Sequence, residues 1–234
     1  IVAPSRNVEK LLREYGVACR IEVIPTGVDL SFYRRESQPE QLEALRRQWG
    51  IPEDKTVLLY LGRMAKEKNL EQLMDQIHAA RRRDAVLLLV GDGPAREAAL
   101  DHARELGVEV ICTGMVPHSD VLDYYRLGDL FVTASTSETQ GLTYFEALAA
   151  GIPVLCRRDK CVDGVVEDGV NGWQYEGTGD FSSRLSAFCD DPALRRQMAR
   201  NAWTSAEKFS AEAFGGAVEA LYLSVQGQPL PLAR

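Results

Sequence analysis

The sequence predicts an α/β protein built on a doubly wound parallel sheet. Six short runs rich in Val, Leu and Ile are almost continuously apolar, which is typical of parallel strands that are buried on both faces. Amphipathic stretches with helical periodicity lie between most of these runs. Such an alternation indicates successive βαβ units, and ligands of such sheets bind at the carboxyl ends of the strands.

The elements follow one another along the whole chain. Strands are predicted at residues 20–24, 57–61, 86–90, 108–112, 130–134 and 153–156. Helices are predicted at residues 69–82, 94–106, 118–127, 142–150, 182–189, 192–209 and 211–225, with a polar surface helix at 34–48. Residues 1–225 are therefore expected to form one domain. Residues 226–234 contain two prolines and little that could pack, so we expect a frayed tail.

The composition excludes several classes of function. The 234 residues carry a net charge of −7, which argues against a general nucleic-acid-binding protein. The five cysteines are odd in number and form no C-x-x-C pair, so free thiols in a reducing, cytoplasmic compartment are expected. The three histidines lack metal-ligand spacing, and no metal site is expected. No stretch approaches the roughly 20 apolar residues of a membrane span.

Three loops after predicted strands carry residues that suit a nucleotide. Arg63 and Lys68 follow strand 57–61 behind Gly62, where they would clamp a diphosphate, although a solvated charge cluster at a helix start explains them equally well. The loops after strands 86–90 and 108–112 would offer backbone groups to a base or ribose, and an ordinary βα turn remains the alternative for both. The residues of these two loops are Gly91, Asp92, Gly93, Gly114, Met115 and Val116.

The most informative loop follows strand 130–134. Glu138 and Glu146 bracket the start of helix 142–150, where the first backbone amides lack partners and favour an anion. Glu146 lies in an otherwise apolar turn, so it needs a partner, and two vicinal hydroxyl groups would satisfy both of its oxygens. A nucleoside diphosphate sugar, with hydroxyl groups on both sides of its charge, fits this combination.

The seven residues between Glu138 and Glu146 resemble the Glu-x7-Glu signature of retaining glycosyltransferases of family 4. Gly62, Arg63 and Lys68, the turn at 91–94 and the segment 24–29 are also similar to that family, so the resemblance covers about residues 2–209. It implies the B-type glycosyltransferase (GT-B) fold, in which two Rossmann-like domains face each other. Residues 1–225 would be the C-terminal domain, which holds the nucleotide-sugar donor.

The resemblance also implies a role for each residue. Arg63 and Lys68 would bind the diphosphate, Glu146 would bind the ribose, and Glu138, as the catalytic residue, would lie near the sugar hydroxyls or the reacting centre. Retention in this family is pictured as front-face attack, in which the leaving diphosphate takes the acceptor proton and no metal or other cofactor is needed. The donor-binding residues at the start of helix 142–150 would be Gln140, Gly141, Leu142 and Thr143.

Two segments point to a subgroup. The string 137–143, with Gln140 where many members have Phe, and the segment 161–172 resemble the diacylglycerol glucosyltransferases of bacterial membranes. We therefore expect transfer of a hexose, from UDP-glucose, to a lipid or sugar acceptor such as diacylglycerol.

The chain begins without a methionine, in what looks like the end of a strand. We therefore expect the N-terminal acceptor domain, and any peripheral attachment to the inner face of the plasma membrane, to lie outside this chain. A noncatalytic nucleotide-sugar-binding module is the alternative function. A UDP-sugar epimerase is disfavoured by the spacing of the two glutamates.

Overall fold

The computed structural model describes residues 1–226, which contain a six-stranded and a two-stranded sheet with helices around them. The strands are β1 Val2–Ala3, β2 Glu22–Val23, β3 Thr56–Leu61, β4 Ala85–Val90, β5 Val110–Gly114, β6 Leu130–Thr133, β7 Val154–Arg157 and β8 Gly172–Tyr175. The α-helices are α1 Arg6–Glu14, α2 Leu30–Tyr33, α3 Pro39–Trp49, α4 Leu70–Ala80, α5 Arg96–Leu106, α6 Val121–Leu127, α7 Leu142–Ala149, α8 Thr178–Asp190, α9 Pro192–Ser205 and α10 Ala211–Val225.

The order of the strands creates a crevice in the large sheet. Its order is β5-β4-β3-β6-β7-β8, and every neighbouring pair is parallel. The chain adds β4 and β5 on one side of β3 and then returns to place β6 on the other side. The loops after β3 and β6 therefore diverge, which is where ligands bind on doubly wound sheets. The predicted fold class is confirmed.

The two faces of the large sheet explain the continuous apolar runs in the sequence. Along β3, Val57 and Leu59 enter one core while Leu58 and Tyr60 enter the other, because successive side chains of a strand point to opposite faces. Helices α6 and α7 cover the first face, and α4 and α8 cover the second. A strand that is covered on both sides has no solvent-facing row of polar residues.

Two of the strand predictions need correction, and strand β8 was missed. Residues 20–24 were expected in the doubly wound sheet, but Glu22–Val23 pairs with Val2–Ala3 in the separate small sheet. Strand β8 was not predicted, because Gly172 and Gln174 interrupt the apolar pattern; Gln174 is buried nonetheless, and its side-chain amide donates to the Val166 carbonyl at 3.0 Å. Strand β5 begins two residues later than predicted and includes Gly114.

The helix predictions hold with shifted ends. Helices α1 and α2 were missed, and the predicted helix 34–48 is observed as Pro39–Trp49, with the proline in the first turn. Predicted helices 118–127 and 192–209 each include a short 3₁₀ segment, at His118–Asp120 and Ala206–Phe209. The predicted frayed tail lies, apart from Gln226, outside the described residues.

Candidate functional site

The predicted loops meet in a cleft at the carboxyl edge of the large sheet. One cavity of about 600 Å³ lies between the loops after β3, β4 and β5, and a second of about 260 Å³ lies between the β3 loop and the start of α7. Both are lined by Leu61, Gly62 and Arg63, so they are two parts of one cleft. The predicted residues on the larger part are Gly91, Asp92, Gly93, Met115 and Val116, and those on the smaller part are Lys68, Glu138, Leu142 and Thr143.

Backbone hydrogen bonds tie the first three loops together. The amide of Gly62 donates to the Val90 carbonyl at 3.0 Å, and the amide of Gly91 donates to the Gly114 carbonyl at 2.9 Å. Gly91 has a φ of +133°, and a Cβ atom there would lie 2.1 Å from the Gly62 carbonyl oxygen. No side chain fits at this position without moving the loop. The carboxylate of Asp92 accepts from the Gly93 amide at 2.7 Å, so it stabilises its own turn.

The two predicted cations are both paired with carboxylates. Lys68 Nζ lies 2.7 Å from Glu138 Oε1, with only 20% of the lysine side chain and 12% of the glutamate side chain exposed. Arg63 pairs with Glu67 at 2.6 Å and is 69% exposed. The structure therefore separates a sheltered cation inside the cleft from an exposed one at its rim. Sequence reasoning had not paired Lys68 with Glu138, which is 70 residues away.

A tyrosine shapes the loop that carries Arg63. The Tyr60 hydroxyl donates to the Arg63 carbonyl at 2.8 Å. Burial, together with the nearby charge of Glu138, raises the pKa of Tyr60 well above its ordinary value. The phenol therefore stays protonated and remains a hydrogen-bond donor at neutral pH.

The start of α7 combines a glycine with unpaired backbone amides. Gly141 precedes the helix with a φ of +73°, and a Cβ atom there would lie 2.3 Å from the Tyr144 ring. Among residues 1–226 no side chain caps this helix, and the first amides of a helix have no intrahelical acceptor. Leu142 and Thr143 line the small cavity, so their end of the helix is the part that can meet an anion.

Gln140 occupies a different environment from its neighbours. Its side chain is only 5% exposed, and its Nε2 donates to the Thr26 carbonyl at 3.1 Å. The amide group therefore anchors the loop on the segment 24–29. That Gln140 also contacts a ligand stays a prediction.

Glu146 has the partner that its apolar surroundings require, but this partner is a side chain of the same protein. Its Oε2 accepts from the Tyr125 hydroxyl at 2.8 Å, and Glu146 itself is partly exposed. Burial, followed by the charge of Glu146, raises the pKa of Tyr125 well above its ordinary value. Sequence reasoning missed Tyr125, because a tyrosine in an amphipathic helix looks like any other core residue.

The N-terminal segment also reaches this site. The Ser5 hydroxyl donates to the carbonyl of Thr139, directly beside Glu138. Asn7 Nδ2 donates to Asp159 Oδ1 at 2.9 Å, and Asp159 in turn accepts from the Cys161 amide at 2.8 Å. Helix α1, which was not predicted, thus stabilises two loops beside the cleft.

Other features of residues 1–226 concern metals, membranes and thiols. No group of three or more His, Cys, Asp or Glu side chains in this range is placed to hold a metal ion. None of the helices in the described part of the chain is long and apolar enough to cross a bilayer. The five cysteines are free, and Cys156 and Cys161 are buried.

Comparison with known proteins identifies the family. The sequence profile described as "Glycosyl transferases group 1" matches residues 41–204. The chain belongs to this family. It is 37% identical over 232 residues to the alpha-monoglucosyldiacylglycerol synthase of Streptococcus pneumoniae, covering 95% of this chain and 51% of that protein. The Acholeplasma laidlawii protein of the same name is 32% identical over 208 residues, covering 87% of this chain and 52% of its own length.

Solved structures of other glycosyltransferases share the fold. Anabaena Alr3699/HepE, in complex with UDP and glucose, superposes with a TM-score of 0.83 at 21% identity, covering 95% of this chain and 62% of its own. At this identity the likeness concerns the fold. The chain spans about half the length of the curated relatives named above.

Proposed function

We propose that residues 1–225 are the donor-binding domain of a retaining glycosyltransferase, and that its donor is a UDP-hexose, namely UDP-glucose. The observation that carries the proposal is the sheltered Lys68–Glu138 pair at the switch point of the sheet. This pair lines the smaller cavity together with the start of α7, and the larger cavity adjoins it. Family membership and the names of the two curated relatives support the transferase reaction. The UDP complex of the Anabaena protein supports the nucleotide.

The donor would lie across both parts of the cleft. The diphosphate binds Lys68, Arg63 and the amides at the start of α7, because these groups supply positive charge at one place. The base occupies the larger cavity beside Met115, and the ribose hydroxyl groups bind Glu146. The hexose then lies beside Glu138.

The reaction needs stabilisation of a leaving diphosphate. The bond between the sugar C1 and the diphosphate oxygen breaks, and a bond from C1 to the acceptor oxygen forms on the same face of the sugar. The acceptor proton passes to the leaving diphosphate. Lys68 and the helix amides stabilise the charge that develops there, and since Glu138 already holds Lys68 in place, little reorganisation is required. We propose no metal ion or other cofactor for this step.

The acceptor is proposed from the relatives and not from the cleft. Both curated relatives are named as synthases of monoglucosyldiacylglycerol, so we propose diacylglycerol as the acceptor of the whole protein. An N-terminal acceptor domain would supply the opposite wall of the cleft. The protein would be cytoplasmic, with the longer form attached peripherally to the inner face of the plasma membrane.

Calorimetric titration of this chain tests the donor. UDP, GDP and ADP, each alone and as a hexose conjugate, should bind with a clear preference for UDP and UDP-glucose. The variant Lys66→Ala is a matched control, because Lys66 lies two residues before Lys68 but lines a different cavity. Equal affinity for the three nucleotides would remove UDP from the proposal. Absence of binding by all of them would remove the donor site itself.

A further inference from the structure

The carboxylate of Glu146 is held by a phenol that belongs to another helix on the same face of the sheet. Tyr125 belongs to α6, its side chain has 0% exposure, and its hydroxyl lies 2.8 Å from Glu146 Oε2. The Tyr125 ring packs against Tyr33 and Phe131, with ring centroids 5.9 and 6.3 Å away. The phenol oxygen therefore has a fixed position.

The hydroxyl has one hydrogen and two acceptors within reach. The Thr143 carbonyl lies 3.4 Å away, which is much longer than the 2.8 Å to the carboxylate. The charged and closer acceptor therefore takes the hydrogen. Because Thr143 lies in the first turn of α7, Tyr125 contacts the same turn that lines the small cavity.

The Glu146 carboxylate has more acceptor positions than the Tyr125 phenol can fill. Glu146 Oε2 is engaged by Tyr125, and the Tyr33 phenol also faces the carboxylate: burial, followed by the charge of Glu146 and a hydrogen bond with it, raises the pKa of Tyr33. The lone pairs that the two phenols do not take can accept bonds from a ligand. A partly exposed glutamate without this bond would exchange among several rotamers and would lose entropy when it bound a ligand. The phenol removes that cost beforehand.

We propose that Tyr125 is a positioning residue that sets the recognition of the ribose hydroxyl groups, by holding the Glu146 carboxylate in the orientation that accepts from them. The proposal rests on the proposed function, since it takes a nucleotide as the ligand. Tyr125 is buried and lies outside the loops of the cleft, yet it would contribute to the discrimination between ribose and deoxyribose.

The variant Tyr125→Phe tests this role with little disturbance of the core. Phenylalanine keeps the ring and its packing and removes only the hydroxyl group. The measurement is the dissociation constant for UDP and for 2′-deoxy-UDP, by calorimetry. We expect the parent to prefer UDP and this preference to fall by about threefold to tenfold in the variant, because UDP binding weakens while 2′-deoxy-UDP binding changes little.

Two further variants make the result specific. Tyr124→Phe is the matched control, because Tyr124 lies next in the same helix but its hydroxyl accepts from Trp49 Nε1 at 3.2 Å. It should leave the preference unchanged. Glu146→Ala provides the other limit and should bind both nucleotides with nearly equal affinity.

The outcomes separate this inference from the proposed function. If Glu146→Ala abolishes the preference while Tyr125→Phe retains it in full, the positioning role is wrong and the ribose site stands. Equal weakening of both nucleotides by Tyr125→Phe would show a merely structural role and also overturns the inference. If the parent binds no UDP, or does not prefer it over 2′-deoxy-UDP, the proposed placement of the donor fails, and the inference fails with it.

Discussion

The Lys68–Glu138 pair allows a quantitative test of where the diphosphate binds. Replacing Lys68 by alanine removes a cation whose side chain is only 20% exposed, whereas replacing Arg63 removes one that is 69% exposed. A hydrogen bond to a charged group is worth about 1.5–3 kcal/mol when it is sheltered from water. We therefore expect Lys68→Ala to raise the Kd for UDP by about 10- to 150-fold.

The exposed arginine should matter less. An ion pair at the protein surface contributes only about 0–1 kcal/mol, because water screens it. Arg63→Ala should accordingly raise the Kd for UDP by no more than about fivefold. This order of effects follows from the structure, since the sequence alone had assigned the two cations equal weight.

A double variant examines the contribution of Glu138. In Lys68→Ala the Glu138 carboxylate loses its partner and lies beside the bound diphosphate, so its charge repels the ligand. The combination Lys68→Ala with Glu138→Ala removes this repulsion and should bind UDP more tightly than Lys68→Ala alone. Calorimetry measures the Kd for UDP of the parent, Lys68→Ala, Arg63→Ala and the double variant, with Lys66→Ala as control. A Lys68→Ala variant within twofold of the parent, or an Arg63→Ala variant that is weaker still, would refute the reasoning.

Three further predictions concern stability and activity. Gly91→Ala should lower the free energy of unfolding in urea by about 1–3 kcal/mol, because its Cβ would overlap the Gly62 carbonyl. Gly179→Ala is the control and should not destabilise the fold, because its Cβ would have no atom within 4 Å. Equal losses in the two variants would contradict the packing argument. The Asp129 carboxylate accepts from the Val57 amide, and burial raises the pKa of this carboxyl group. The folded state therefore binds the proton more tightly than the unfolded state. As a result, the parent loses stability as the pH rises above about 4. The stability of Asp129→Asn relative to the parent should therefore grow as the pH rises from about 4 and level off above the raised pKa of Asp129, and a shrinking difference would show the opposite sign. Finally, the chain spans about half the length of the curated relatives, so we expect that by itself it positions only the donor and does not glucosylate diacylglycerol micelles from UDP-glucose. Turnover equal to that of a full-length protein would contradict this expectation.

Much of the site was predictable because its signals are local. A run such as 86–90 is apolar throughout, and this alone indicates a strand that is buried on both faces, here observed as Ala85–Val90. The loops after such strands must lie at one edge of a parallel sheet, which is why Gly91, Lys68 and Glu138 could be assigned to one cleft. Where a polar residue or a glycine entered a strand, as in Gly172–Tyr175, the same reasoning failed.

The sequence by itself determined the α/β class, the edge that carries the cleft and the residue types available there, since these depend on periodicity and on residues close together in the chain. Only the tertiary structure decided which of these residues are partners. Lys68 meets Glu138 and Tyr125 meets Glu146 because the chain crosses from one side of β3 to the other, and this brings together residues 70 and 21 positions apart. Local patterns report burial and secondary structure, whereas the order of strands depends on the free energy of the whole packed core. The chemistry of the cleft therefore follows from the sequence, and its geometry follows from the fold.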